Sequence, residues 1–335
     1  MATKQGTATR GGKSWYRNDA VTPGAATGFF LVALAAATWG TDLFFRVKLA
    51  LELPAAAVVF AEHLILVLVT APLLVRALRA ARSFDRRDWL AILFVGAGAS
   101  ALATILFTAG LSQGDAPSVY LLQQLQPLVA ALGARWLLGE RLHPRYWLFF
   151  VLAVSGAYLV NFPDPLSADP RSIAGGAFAL GAAILWASGT VFGRHLTTRL
   201  PFEQLTALRF GIGLPAAALI LLLTAGIGGF TSYPASAGPP LVTIALVPGL
   251  LAMLIYYRGL RATPAAAATI AELVLPVSIL LISTMVFHFS LTGTQWAGVA
   301  CLTGTITVMG LASRRDSGAV GIEAERQPRL AATSA

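Results

Sequence analysis

The sequence predicts an all-α polytopic membrane protein of ten transmembrane helices in two inverted five-helix repeats. Three observations predict it: a composition too apolar for water, ten apolar stretches of spanning length, and an internal duplication. Of 335 residues, 56% are hydrophobic and 12% charged, and the mean hydropathy is +0.72. An ordinary soluble domain is far more polar. Such a chain needs lipid as its solvent.

A hydrocarbon core about 30 Å thick takes about 20 apolar residues per helix. In chain order the stretches run from Gly28 to Leu49, Pro54 to Val75, Trp89 to Leu111, Ala116 to Leu138 and Tyr146 to Phe162. They continue from Ile173 to Gly193, Phe202 to Thr224, Pro240 to Leu260, Pro264 to Phe287 and Thr294 to Leu311. Short charged or Pro/Gly breaks separate them, and the fifth and tenth are the shortest. Residues 1–27 are polar and basic with no apolar h-region, so the first helix itself is expected to direct insertion. The predicted organisation is a cytoplasmic basic tail (1–27), a first repeat (28–162), an external linker (163–172), a second repeat (173–312) and a disordered cytoplasmic tail (313–335). Pro163, Pro165 and Pro170 stiffen the linker.

Lys and Arg near helix ends concentrate on the cytoplasmic side. With the N-terminus inside, the cytoplasmic segments receive every basic residue except Arg46, Lys48 and Arg171, which fall outside, and Arg209, which lies within a span. Both termini are then cytoplasmic, as in a multi-pass protein of a bacterial-type inner membrane. The net charge of +9 is this positive-inside bias, and nucleic acid is not an expected partner. The lone cysteine, Cys301, can close no internal disulfide, and His63, His143, His195 and His288 lack the spacing of a helical metal site. No cofactor or metal is expected.

Self-comparison exposes the duplication. Ala35, Trp39, Leu53 and Pro54 match Ala182, Trp186, Leu200 and Pro201 at constant spacing; Gly110, Pro127, Leu142 and Trp147 match Gly259, Pro276, Leu291 and Trp296. Five helices per copy is an odd number, so the second copy enters the membrane from the opposite side. A pseudo-two-fold axis in the membrane plane follows, the arrangement that lets one cavity open alternately to two faces. A small-molecule transporter is the expectation.

The first-helix segment TWGTDLFFRVKLA, with Trp39 and Gly40, and the fourth-helix segment LLQQLQPLVAALGARWLLGERLHPRYW carry a resemblance. In the second of these, Pro127, Gly139, Glu140 and Trp147 stand where the EamA type of the drug/metabolite transporter superfamily has a proline, a Gly-Glu turn and a tryptophan. The resemblance covers roughly residues 28–312. It implies ten helices, two EamA repeats, no ATP hydrolysis, and frequently export of amino acids, other metabolites or drugs. The second repeat departs from the pattern: His288 and Phe289 replace the Gly-Glu turn, Leu275 precedes Pro276, and Glu62 occupies the position matching Arg209.

Pro127 and Pro276 fall near the midpoints of their spans. A helical proline frees the carbonyl four residues earlier, and those residues are Gln123 and Glu272. Either these are kinks satisfied by neighbouring helices, or they put polar side chains beside released carbonyls in a pathway. An acid at mid-membrane costs about 2.5 to 3.5 kcal/mol and usually marks a pathway. Glu272 and Glu62 are therefore the proton-coupling candidates, with Glu62 alternatively pairing Arg46. Of the neighbours Glu62 and His63, at most one is expected to line the cavity. Asp42 and Arg46 have i, i+4 spacing suited to an ion pair. Arg209 either binds a substrate carboxylate or snorkels to headgroups. Trp39 and Trp186 sit mid-helix, as packing at the repeat interface or as aromatic cavity walls; Trp147 and Trp296 read as interfacial anchors. Tyr120 and Gln124 complete the expected cavity set.

No HExxH, nucleophile elbow or GxxxxGK[ST] motif occurs, so an enzyme is not expected and energy must come from a gradient. The expected activity is secondary transport of a small organic metabolite, an amino acid or related compound, by alternating access and in the direction of export. The expected partners are that substrate and the bilayer. A multidrug or lipophilic-cation efflux carrier, and a passive channel, are the alternatives.

Overall fold

The computed structural model describes residues 25–113, 116–139, 142, 145–162, 164, 173–288 and 290–309. The N-terminal tail to residue 24, nearly all of the linker, the C-terminal tail, Glu140 and Phe289 lie outside the described residues. The described residues are helical, without strands. Large apolar side chains face outward, among them Leu223, Met285 and Trp136, while Arg46, Glu62, Arg209 and Glu272 are buried. This is the distribution expected of a chain with lipid outside.

Prolines punctuate the helices. Pro54, Pro201 and Pro264, each with ψ near that of extended backbone, end one helix and begin the next, as a residue without an N–H and with φ fixed should. Helix α1 (Ala25–Trp39) and α2 (Asp42–Glu52) meet at a bend of 42°. The bend lies at Gly40, where a Cβ would come within 2.1 Å of Ser278 Oγ. Helix α3 spans Ala55–Ala80. Helix α4 (Arg86–Leu93) starts on a capping box in which Asp85 accepts from the Asp88 backbone N–H and the Asp88 side chain reaches back. It runs through wide, π-type turns (Phe94–Leu102) into α5 (Ala103–Gln113).

Helices α6 (Ala116–Gln123) and α7 (Gln126–Gly133) are separated by a break just before Pro127. After them come α8 (Tyr146–Asn161), α9 (Ile173–Leu196) and α10 (Phe202–Ala225). Helix α11 (Gly238–Ile244) passes through a second π-type segment, Ala245–Leu251, into α12 (Ala252–Leu260). Helix α13 (Ala265–Ala271) tightens over Glu272–Val274 and resumes as α14 (Leu275–Phe287). A last helix covers 293–309, begun by Thr292 and Gln295, each side chain accepting from the other's backbone N–H.

Among the described residues six helices are long and apolar enough to cross a membrane, or seven if α1 and α2 form one bent span. The remaining expected stretches fall short for identifiable reasons. The fourth is broken between Gln123 and Gln126, α8 has 16 residues, and the last helix reaches the limit of the described residues at 309.

Glycine sets the closest helix contacts. A Cβ on Gly28 would lie 2.7 Å from the Gly259 carbonyl, and one on Gly259 would lie 2.7 Å from the Gly28 carbonyl. Gly110 meets the Gly175 carbonyl in the same manner at 3.2 Å. These two contacts join α1 to α12 and α9 to α5, and the sequence duplication pairs α1 with α9 and α12 with α5. Gly189 packs on Ala99 and Gly193 on Tyr257. Trp147 and Trp296 are 47% and 55% exposed and face outward.

At one end of the bundle, Asp88 accepts from His195 Nε2 at 2.8 Å and Arg199 Nε at 3.2 Å, tying α4 to the end of α9. Asp85, outside the apolar helices, has its carboxyl held below the usual range by the Asp88 backbone N–H and then that of Arg87.

Candidate functional site

A polar cavity of about 140 Å³ lies inside the bundle, many times the roughly 10–15 Å³ that one buried water needs. Local irregularities in the helices open it. The two π-type segments contribute Ser100 from one, Pro248 and Gly249 from the other, and the breaks after α6 and α13 contribute Gln123, Gln126, Glu272 and Leu275. Wide turns and broken helices at membrane depth occur where backbone lines a cavity or is buried in protein. The sequence identified Pro127 and Pro276 as the breakers, and each stands in the first turn of the helix that resumes after its break.

Two aromatic pairs form one wall. The Trp39 and Tyr256 rings are 5.2 Å apart at 46°, and the Trp186 and Phe107 rings are 5.2 Å apart at 56°. Trp39 and Trp186 are equivalent in the duplication, as are Phe107 and Tyr256. Tyr120 stands edge-on to Phe107 at 5.1 Å. Tyr256 donates to Glu272 Oε1 at 3.0 Å, and its hydroxyl lies 2.7 Å from Thr190 Oγ1. The first half has no such link. Phe107 lacks the hydroxyl, and Gln123 Oε1 is buried without a hydrogen-bond partner among the described residues.

The other wall is charged. Arg46 pairs with Asp42, donates to Glu62 Oε2 at 2.9 Å and reaches Thr108 Oγ1 at 3.3 Å. The Arg46 and Glu62 side chains are 4% and 8% exposed. Arg46, placed outside the membrane by the sequence reading, is thus an interior residue. Its two acid partners repay its desolvation, which an external loop would not require. Glu62 both faces the cavity and pairs with Arg46, so the two alternatives coincide.

His63 also lines the cavity, correcting the expectation that at most one of these neighbours would. The α3 face toward the cavity is broad enough for both because α10 packs there through Gly213, which approaches the His63 ring. His63 Nδ1 donates to the Val59 carbonyl at 2.9 Å, leaving Nε2 to accept from Ser100 at 2.9 Å. Ser100 in turn accepts from Arg209 Nε at 3.1 Å.

Arg209 does not snorkel to the membrane surface. It is buried and also donates to Tyr257 Oη at 3.1 Å and the Ala99 carbonyl at 3.2 Å. Trp39, Trp186, Tyr120, Gln123, Arg209, Glu62 and Glu272 all meet at the one cavity. Gln124 instead lines an adjoining recess with Pro127, and Pro276 is buried behind the break. Sequence reasoning missed Phe107, Tyr256, Thr190, Ser100 and Gln126. Extending the duplication from the matched tryptophans to the aromatic residue each faces would have found Phe107 and Tyr256. Among the described residues no group of His, Cys, Asp and Glu is arranged to hold a metal ion.

Comparison with known proteins agrees with this architecture. The profile of the EamA-like transporter family matches residues 26–162 and 173–311, once for each half. The chain is 30% identical to the Riboflavin transporter ImpX of Fusobacterium nucleatum over 85% of its own length and 96% of that protein. It is 27% identical to the Uncharacterized transporter YwfM of Bacillus subtilis, over 63% of this chain and 70% of that one. A solved crystal structure superposes with a TM-score of 0.69 over 88% of this chain and 99% of the other, at 18% identity, which is a likeness of fold. The chain is therefore a helical transmembrane transporter with a small-molecule substrate, and it belongs to the EamA-like transporter family.

Proposed function

We propose that the protein is a secondary transporter that carries a small planar metabolite of the flavin class across the cell membrane by alternating access through this cavity. The observation that carries the reading is the pair of tryptophans, Trp39 and Trp186, one from each half of the chain, which line one cavity and are each braced by a second aromatic ring. Flat aromatic walls favour flat ligands. The riboflavin transporter that resembles this chain along nearly its whole length supports the same class. In this reading the ten apolar stretches are ten spans, the two halves are inverted copies, and both termini are cytoplasmic. The supports are the short or broken geometry of the stretches that fall below spanning length, the odd helix number per half, and the distribution of Lys and Arg.

Glu272 is the better candidate for proton coupling. Glu62 is matched by the permanently charged Arg46, whereas the Tyr256 hydroxyl is a neutral partner for Glu272. A carboxyl hydrogen-bonded to a neutral hydroxyl, with no cation in direct ion-pair contact, can gain and lose a proton as the cavity changes sides with less disruption than one locked in an ion pair.

Proteoliposomes preloaded with unlabelled riboflavin should accumulate external labelled riboflavin by counterflow, saturably. Trp39→Ala and Trp186→Ala should each raise the half-saturation concentration by roughly three- to tenfold. A linear, unsaturable flux would point to a channel; counterflow with amino acids but not flavins would reject the flavin class. An imposed proton gradient should drive flux in wild type and not in Glu272→Gln. Asymmetric loading reads the direction, for which export is the expectation.

A further inference from the structure

A recess of about 20 Å³ opens off the main cavity at the break between α6 and α7. It has room for one or two waters, or for the edge of a ring, but not for the ring itself. Gln123, Gln124, Gln126 and Glu272 line it, and Trp39 is a wall of both the recess and the cavity. Gln123 is 8% exposed and Gln124 3%. Gln123 Oε1 and Gln124 Nε2 are buried with no hydrogen-bond partner among the described residues.

An unsatisfied buried amide atom costs about 1–3 kcal/mol, and such atoms are rare in native interiors. One of the two has a counterpart in the duplication: where the second half provides the Tyr256 hydroxyl to Glu272, the first half has Phe107 and Gln123 at the equivalent positions, and Phe107 has no hydroxyl to offer. Gln123 and Gln124, each carrying one unpartnered amide atom, line this recess together beside Trp39. A water would satisfy either atom alone. A planar ligand lying on Trp39 would bring both complementary groups at once, a ring N–H for the acceptor and a ring carbonyl for the donor. Each glutamine amide carries both kinds of group, so turning both amides over exchanges the two roles and keeps one acceptor and one donor.

We infer that Gln123 and Gln124 form an edge-reading subsite for a cyclic amide or imide, the N–H flanked by C=O that the pyrimidinedione ring of a flavin carries. This rests on the planar-metabolite reading and deepens it: the tryptophans hold the ring faces, and the glutamines decide which rings are accepted. A site built to hydrogen-bond a ligand group discriminates strongly against analogues lacking it, because its own polar atoms are then left unpaired.

The test uses the full chain purified in detergent and measures binding of riboflavin and of N3-methylriboflavin, in which the imide N–H is blocked. Uridine and thymidine are run beside them as smaller imides. Wild type should prefer riboflavin over its N3-methyl form at least tenfold. Gln123→Leu should bring the two within about twofold of each other, and should leave the Tm of the ligand-free protein unchanged or raised, since it removes an unpartnered polar group. Equal binding of the two flavins by wild type would overturn the subsite while leaving the planar-metabolite reading standing. A fall of several degrees in the ligand-free Tm of Gln123→Leu would also overturn it, by making the amide a structural link. Absence of flavin binding would overturn the flavin reading, and the subsite then stands or falls on whether wild type binds uridine or thymidine and Gln123→Leu does not.

Discussion

Replacing Arg46 with methionine should be among the most damaging single changes in the interior. The guanidinium contacts Asp42, Glu62 and Thr108 at once. At an effective dielectric of about 20, two unit charges separated by the 2.9 Å of the Arg46–Glu62 contact attract by about 6 kcal/mol. Desolvating each ion costs several kcal/mol, so the intact cluster contributes little net stability. Removing the cation alone is different. Two carboxylates are left facing each other in the interior, and breaking a buried pair in this manner typically costs about 3–5 kcal/mol.

The cavity beside the cluster lowers the expectation within that range. The Asp42 side chain is 13% exposed, so water can reach it, and a loss of about 3 kcal/mol is expected. Unfolding of the purified protein by SDS in mixed micelles reads the free energy directly. The triple variant Asp42→Asn, Arg46→Met, Glu62→Gln should recover at least half of the loss, because it removes the stranded charges. A cost below about 1 kcal/mol for Arg46→Met, or a triple variant no more stable than the single one, would refute the view of this cluster as a buried charge-compensated unit.

Three other substitutions test separate features. Gly28→Ala should destabilise by about 1–3 kcal/mol, because its Cβ would meet the Gly259 carbonyl at 2.7 Å, whereas Gly110→Ala, with 3.2 Å to the Gly175 carbonyl, should cost less; thermal unfolding of both variants gives the order. His288 ends α14 at φ 53, where the equivalent Gly139 has φ 67, so His288→Gly should stabilise by about 1 kcal/mol in the same assay. Asp85→Ala should lower Tm at neutral pH through loss of the α4 cap. Since the folded Asp85 carboxyl titrates below its unfolded value, its contribution is complete above the unfolded value and disappears as the pH falls through the folded one, so the Tm curves of wild type and variant should converge below about pH 4.

Much of the site was legible because the two halves are compared within one chain. Pro127 and Pro276 stood out as a matched pair in an Ala- and Leu-rich background, and both breaks lie beside them. The paired tryptophans likewise led to the aromatic lining of the cavity. The partners of Arg46 were legible, Asp42 from its spacing and Glu62 as an alternative, but its burial was not, since its place near the end of an apolar run carries no information about the contacts α2 makes after the 42° bend. The π-type turns leave a weak trace in sequence: Gly96, Gly98 and Ser100 in one, Pro248 and Gly249 in the other. His288 shows the converse case, in which the backbone keeps a left-handed residue although the glycine that favours it is gone. The Gly-Glu pattern failed at that position while its geometry persisted.

The glycine contacts of α1 with α12 and of α5 with α9 constrain how this bundle can move. Backbone touches backbone at Gly28 and Gly259, and again at Gly110 and Gly175. At each of these points a carbonyl lies where a Cβ would stand, so there is little room for the helices of either pair to slide past one another. Each pair contains one helix from each half of the sequence. Each of these close contacts therefore ties the first half of the chain to the second, so a movement that separated the halves as two independent bodies would have to break both.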